Sequence, residues 1–526
     1  MIKIEDLSVA FNGTNVVEHV NITINPGEIV GIVGESGSGK SVTALTLMGL
    51  LPENGSVTSG KIVYDDTVLL QEGVEKDKAL YREYQGSKMS MVFQEPMTSL
   101  NPTMKIGRQA AEVLRLHADM DEADIKSKVL ASFKDVGLMD AERVHDSYPH
   151  QLSGGMRQRV MIAMAVMMEP GLVVADEPTT ALDVTVQNQI IELLREINKK
   201  KNNSMLFITH DLNLARSLCH RIVVMKDGSV VEDELTESIF TKPSHPYTKL
   251  LIDRTPSRHK KKKPSELHGN NSGDFVLEVN NLDVYYKNDK NSLFSSAKNK
   301  KKVVKGASFE IRKGEILGLV GESGCGKTTL SKAILGINKY YTGSIVHNTS
   351  FPKMIFQDPY SSLNPSKSIG WLLQEPLRAL KNMSKDDMNI AAHDMLKKIE
   401  LDERYFNMKP SELSGGQRQR VSIGQALITN PGFIIADEPV SALDVTIQAQ
   451  IMELMLKLQE EMKLSYLFIS HDINVIYQMS DRIMVMKDGC IIETGYTQDV
   501  FDNPREDYTK ELLRSNVELG LTTSEM

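Results

Sequence analysis

Nearly every motif in this chain occurs twice. GESGSGKS at Gly34–Ser41 returns as GESGCGKT at Gly321–Thr328, and MVFQEPMTSLNP, ending at Pro102, returns as MIFQDPYSSLNP, ending at Pro365. LSGGMRQRV from Leu152 returns as LSGGQRQRV from Leu413, and VVADEPTTALDVT returns as IIADEPVSALDVT. ITHD at Ile208 and RIVVMKDG at Arg221 return as ISHD at Ile469 and RIMVMKDG at Arg482. Ser153, Asp176, Asp183 and His210 each recur after the same 261 residues, as Ser414, Asp437, Asp444 and His471. Lys40 and Lys327 are 287 apart, so the halves differ in length upstream. A period this long marks a duplicated domain, not a solenoid. The 526 residues leave ample chain for a core in each copy.

The copies meet in RTPSRHKKKKPSELHGNNSGD, Arg254–Asp274, whose single large apolar residue is Leu267. Such a composition predicts a flexible linker. The expected organisation is a first domain over 1–253, a linker over 254–274 and a second domain over 275–526. The lysine run Lys260–Lys263 reads as solvated linker, and the basic stretch Lys287–Lys302 as an exposed loop between strands, in preference to lipid or RNA contacts.

Composition excludes several classes. With 41% hydrophobic and 25% charged residues the chain is not wholly disordered. The longest aliphatic run, Val160–Met168, falls short of the ~20 residues a membrane span needs. The opening residues carry Glu5 and Asp6 and no apolar h-region, so no secretory signal is expected. Three scattered cysteines, Cys219, Cys325 and Cys490, suit a reducing compartment and give neither a disulfide framework nor a zinc site. A net charge of −8 argues against a nucleic-acid partner.

Within one copy, Glu28–Val33 is an apolar run between glycines, which predicts a buried strand. A glycine-rich turn follows, then a helix over Lys40–Leu50. Further strands are expected at Leu172–Ala175, ending on Asp176-Glu177, and Met205–Ile208, ending near His210. Helices are expected at Met156–Met168 and Val186–Asn198. This alternation implies an α/β fold with a parallel sheet and helices on both faces. Ligands of such sheets bind at the carboxyl ends of strands, where the glycine turn, the acidic pair and the histidine all lie.

The pattern GxxxxGK[ST] has a physical reason. Gly34, Gly37 and Gly39, like Gly321, Gly324 and Gly326, let backbone N–H groups wrap phosphates, with Ser36 and Ser323 in the same turns. Lys40 and Lys327 reach the β and γ phosphates, while Ser41 and Thr328 offer an oxygen to Mg²⁺. The helix behind the loop adds its positive end. Asp176 and Asp437 are expected to hold Mg²⁺, Glu177 and Glu438 to position or deprotonate the attacking water, and His210 and His471 to meet the γ-phosphate.

With these motifs beside the LSGG pentads, each half resembles the nucleotide-binding domain of an ABC transporter. The resemblance covers nearly the whole chain outside the linker. It implies two tandem P-loop NTPase domains, each with a mostly parallel sheet core, an antiparallel β subdomain and a helical subdomain. It implies that Gln94 and Gln357 contact Mg²⁺ and signal to membrane subunits, and that Phe11 and Tyr286 stack on adenine. It also implies intramolecular head-to-tail pairing. Ser414, Gly415 and Gly416 would complete the ATP site of Lys40, and Ser153, Gly154 and Gly155 that of Lys327. A linker of about 20 residues extends to ~65 Å, so its length is no obstacle.

SLNP at Ser99–Pro102 and Ser362–Pro365, and SHPYTKLL at Ser244–Leu251, are similar to the oligopeptide/dipeptide/nickel importer ATPases. The chain looks like both ATPases of such a system fused. Many first ATPases of that group carry a cysteine cluster after HPYT; the first half has none after Leu251, so no iron–sulfur cluster is expected. The expected function is the ATP-hydrolysing subunit of an importer, at the cytoplasmic face of the membrane, with two permease subunits and through them a substrate-binding protein. Nickel or other metal chelates and glutathione are alternative cargoes. A soluble tandem ABC protein acting on ribosomes is disfavoured by the short linker with Pro256 and Pro264.

Overall fold

The computed structural model describes residues 1–73, 77–180, 182–254, 274–287, 300–349, 352–380, 383–441 and 443–517. They divide into two compact units, the first within Met1–Thr255 and the second within Pro256–Val517.

The first unit is organised by a six-stranded sheet in the order Ser229–Leu235, Arg221–Lys226, Ile29–Val33, Ser204–Thr209, Leu172–Asp176, Met89–Val92. All but the edge strand Ser229–Leu235 run parallel. The three central strands are buried along their whole length, which is why they read as unbroken apolar runs. Alternate residues serve two cores. Ile29, Val33, Val173, Ala175, Met205 and Phe207 pack against the helices Ile106–His117, Glu122–Asp135 and Gly154–Val166. Val30, Ile32, Val174, Leu206 and Ile208 face Ala44 and Leu47 of the helix Lys40–Leu47. Ile2, Ile4, Leu7, Val20 and Ile22 of a separate antiparallel sheet join that second core. The second face of the parallel sheet is therefore shared between a helix and a sheet, where strand–helix alternation alone predicts helices.

The antiparallel sheet has the order Thr14–Ile24, Ile2–Phe11, Gly55–Tyr64, Thr67–Gln71. The second unit repeats this plan. Its six-stranded sheet runs Lys353–Ile355, Phe433–Asp437, Ser465–Ser470, Ile316–Val320, Arg482–Lys487, Cys490–Tyr496, with a three-stranded antiparallel sheet beside it. No helix among the described residues is long and apolar enough to cross a membrane.

Element ends differ from expectation where capping decides them. The helix after the glycine turn stops at Leu47, short of Leu50, because Gly49 turns to φ +66 and the amides of Gly49 and Leu50 bond back to Thr46 and Leu45. The helix expected from Met156 starts at Gly154, capped by Ser153. The one expected from Val186 spans Val184–Lys201, capped by Asp183 and closed by Asn202 in the left-handed region. Lys287 ends the strand Phe275–Lys287, and Lys300, Lys301 and Lys302 belong to the strand Lys300–Arg312, not to a loop. Residues 288–299 of that basic stretch, and 255–273 of the linker, lie outside the described residues.

Candidate nucleotide sites

The strand Ile29–Val33 delivers the chain into the glycine turn at its carboxyl end. Gly39 takes φ +97 as N-cap of the helix Lys40–Leu47, and Gly326 takes φ +115 before Lys327–Ile334, a conformation that disfavours side chains. Ser36 and Gly37, and Ser323 and Gly324, form the exposed crests, whereas Lys40 and Lys327 are 5% exposed. Each lysine folds onto its own loop. Lys40 Nζ donates to the carbonyls of Gly34 at 2.8 Å and Glu35 at 2.7 Å; Lys327 Nζ donates to those of Gly321 at 2.7 Å and Glu322 at 3.0 Å. Each ammonium is thus held by carbonyl oxygens of its own loop, at the N-terminal end of the helix that follows.

The strands beside it bring up the carboxylates. Ser41 Oγ donates to Asp176 Oδ1 at 3.0 Å. Glu177 Oε2 collects three partners: Gln94 Nε2 at 3.0 Å, Thr180 Oγ1 at 2.9 Å and His210 Nδ1 at 3.2 Å. In the second unit Glu438 Oε2 meets Gln357 Nε2 at 2.9 Å and His471 Nδ1 at 3.1 Å. Residues more than 80 apart in sequence therefore converge on one carboxylate in each unit. Glu177 and Glu438 both hold positive φ, 44° and 49°, unusual for a side-chain-bearing residue and typical of over-determined functional positions.

The adjacent carboxylates are tuned apart. Burial, reinforced by the charge of Glu177 and only partly offset by the Ser41 hydroxyl, pushes Asp176 up to about 6. Burial also opposes ionisation of Glu177, but His210 and Thr180 outweigh it and hold the carboxyl at about 2. His210 is raised: burial works against its charge and the pairing with Glu177 prevails. Asp437, Glu438 and His471 shift in the same directions for the same reasons. One anion of each pair is thus settled and the other costs energy until a cation arrives.

That donor set fits Mg²⁺. A buried carboxylate and a hydroxyl oxygen 3.0 Å apart beside the glycine turn are hard ligands of the kind that bind this ion together with substrate phosphates. Among the described residues no cluster of three or more His, Cys, Asp or Glu is placed to hold a metal without such phosphates.

The LSGG segments cap helices. Ser153 Oγ accepts from the Met156 amide at 3.3 Å, and Ser414 Oγ from the Gln417 amide at 3.4 Å. Gln417 also returns its side chain to the Ser414 amide at 2.9 Å, closing a capping box that Met156 cannot make. The glycines differ in role. A Cβ at Gly155 would lie 2.7 Å from Val186 and one at Gly416 2.4 Å from Ile447, so packing inside the unit demands them. Cβ atoms at Gly154 and Gly415 would meet Leu182 and Leu443 at ordinary distances of 3.4 and 3.6 Å.

The aromatic positions are less alike. The Phe11 ring packs near Gly55 and joins the core beneath the antiparallel sheet, whereas Tyr286 is 42% exposed at the end of its strand. The strand after Phe11 passes the glycine turn, with the Val16 carbonyl 3.1 Å from a Cβ built on Gly39. Two kinds of contact go beyond the roles read from the motifs. Thr180, three residues on in the same segment, donates to Glu177. The hydroxyls of Tyr247 and Tyr508 accept hydrogen bonds from the Glu35 amide at 3.2 Å and the Glu322 amide at 3.1 Å, and only folding brings these tyrosines to the loops.

Residues 17–180 and 304–441 match the family model described as ABC transporter, and residues 231–274 and 492–524 match the oligopeptide/dipeptide transporter C-terminal region. The chain is 41% identical over 533 residues to the peptidoglycan transport ATP-binding protein YejF of Agrobacterium fabrum, covering 98% of this chain and 96% of that protein. It is 39% identical over 556 residues to the glutathione import ATP-binding protein GsiA of Pectobacterium atrosepticum, covering 98% and 89%. Among solved structures it is similar to an RNase-L inhibitor, with a TM-score of 0.62 at 22% identity over 92% of this chain and 89% of that one, a likeness of fold alone.

Proposed function

The chain belongs to the ABC transporter family as an ATP-binding protein with two cassettes, and from that premise we propose that it energises a membrane importer for oligopeptides or dipeptides. The observation that supports the substrate class is the match of both units, from within their last sheet strand onward, to the oligopeptide/dipeptide C-terminal region. Glutathione is a second reading, supported by the relative named for glutathione import; it is itself a tripeptide.

In this proposal the domains are 1–253 and 275–526, joined by 254–274. Each pairs head to tail with the other, Ser153, Gly154 and Gly155 serving the Lys327 site and Ser414, Gly415 and Gly416 the Lys40 site. The ordinary surroundings of Gly154 and Gly415 support a role outside their own unit. Ser41, Asp176 and Gln94, and Thr328, Asp437 and Gln357, would hold Mg²⁺, which screens phosphate charge and orients the γ-phosphate. Lys40 and Lys327 turn from their loop carbonyls to the phosphates. Phe11 and Tyr286 stack on adenine.

Glu177 and Glu438 receive the proton of the attacking water. Each is engaged by a histidine and a glutamine, which hold the base away from water. Phosphate contacts that draw His210 and Gln94 away would release it. Hydrolysis is thereby tied to occupancy, and through the Gln94–Pro102 and Gln357–Pro365 segments, exposed at Gln94, Glu95, Gln357 and Tyr360, to two permeases at the cytoplasmic face.

Uptake of labelled di- and oligopeptides and of labelled glutathione by cells lacking this chain tests the reading. Loss of peptide uptake, restored by the chain but not by Glu177→Gln/Glu438→Gln, supports it. Loss of glutathione uptake alone favours the second cargo, and unchanged uptake of both rejects the proposal.

A further inference from the structure

The strongest unassigned feature is the contact between each C-terminal helix and its phosphate loop. Tyr247, on the helix Pro246–Arg254, is 5% exposed, and its hydroxyl accepts from the Glu35 amide at 3.2 Å. The carbonyl of that same residue accepts from Lys40 Nζ at 2.7 Å. Glu35 is therefore held at both ends, by the tyrosine on one side and the phosphate-binding lysine on the other.

The helix is itself fastened. Buried Glu232, on the sheet strand Ser229–Leu235, accepts from the Ser244 amide at 2.7 Å, the Ser244 hydroxyl at 2.8 Å and the His245 amide at 3.1 Å. The Lys226 ammonium lies 5.2 Å from the Tyr247 ring centroid, a cation–π approach from the neighbouring strand.

The second unit builds the same device with different neighbours. Tyr508 accepts from the Glu322 amide at 3.1 Å, and the Glu322 carbonyl accepts from Lys327 at 3.0 Å. Glu493 accepts from the Arg505 and Glu506 amides at 2.9 and 3.2 Å, and Lys487 lies 4.5 Å from the Tyr508 ring centroid. His245 and Pro246 of the first unit are replaced by Glu506 and Asp507, yet the tyrosine, the buried glutamate and the lysine keep their places. A contact serving only to pack a helix needs no hydroxyl. One that fixes an amide in the phosphate loop does.

We propose that Tyr247 and Tyr508 are positioning residues that brace the entry to each phosphate loop from the C-terminal segment, so that nucleotide affinity depends on that segment. This rests on the nucleotide-site reading above. Losing the hydroxyl leaves the Gly34–Glu35 peptide held by Lys40 alone, so once the lysine turns to phosphate the loop must be ordered by the nucleotide at a cost in affinity. One hydrogen bond of this kind corresponds to about fivefold in binding.

The test uses the full chain carrying Lys327→Ala, so that a fluorescent ATP analogue with Mg²⁺ reads the first loop. Tyr247→Phe should raise its Kd about fivefold, speed hydrogen exchange at the Glu35 amide and leave the unfolding temperature without nucleotide nearly unchanged. In the otherwise wild-type chain it should raise the KM for ATP with kcat preserved. Lower kcat with unchanged KM and Kd would mean a structural role and overturns the proposal. Glu232→Gln, which loosens the helix without touching the loop, should weaken binding in the same direction and decides the matter should Tyr247→Phe fail to fold. If the Lys327→Ala chain binds no more analogue than Lys40→Ala/Lys327→Ala, the nucleotide reading itself falls. If it binds well and Tyr247→Phe binds equally well, the brace alone falls.

Discussion

Adjacent carboxylates with opposite shifts give each unit a settled charge and an unsettled one. Asp176 at about 6 lies above its ordinary 3.8, so the folded state holds this proton more tightly than the unfolded chain. That contribution is present at low pH and is lost as pH rises from about 4 to 6. Asp176→Asn keeps an acceptor for Ser41 but removes the penalised charge. Without nucleotide or Mg²⁺ it should therefore match the wild type in denaturant melts below about pH 4 and gain up to about 3 kcal/mol above pH 6. Equal stability at pH 8 would show that burial does not strain this group. Glu177→Gln and Glu438→Gln keep shape and lose the base, which costs ~10²–10⁴-fold in proton transfer at that site. With obligately coupled sites each single variant loses nearly all phosphate release; with independent sites each keeps about half. One silent variant beside one dead one would contradict equal roles.

At the scale of elements, paired glycines separate packing from function. Gly416→Ala drives a Cβ to 2.4 Å from Ile447, and destabilisation of about 1–3 kcal/mol is expected in thermal or denaturant melts. Gly415→Ala meets ordinary space, so stability should hold while ATP turnover falls. Met156→Gln should add the capping box found at Ser414 and stabilise the first signature helix by about 0.5–1 kcal/mol, measurable as a raised unfolding midpoint. Much of this frame was legible. The strands around Val30, Val174 and Leu206 are apolar on both faces, so they stand out as short unbroken apolar runs. Helix ends were less legible, because Ser153 and Asp183 set them through side-chain bonds outside the apolar pattern. The antiparallel sheet carries no run of comparable strength and came only from the family resemblance. The Tyr247 brace was illegible, since it links residues 212 apart through one hydroxyl.

At the level of the whole molecule, two ABC cassettes lie in one chain, and the proposed membrane partner would be supplied by other subunits. Charge reversals within Gln94–Pro102 and Gln357–Pro365 should abolish co-fractionation with membranes while ATP binding survives. Undiminished membrane association would remove those segments from the interface. The central claim is that each half holds its own nucleotide and that the pair closes within one chain. Equilibrium binding of Mg-ATP to the Glu177→Gln/Glu438→Gln chain, with mass measured in the same solution, tests it most directly. The expected result is two ATP per chain on a species of one chain, independent of protein concentration, and none on Lys40→Ala/Lys327→Ala. One ATP or fewer per chain, or tight binding only when two chains associate, would contradict it.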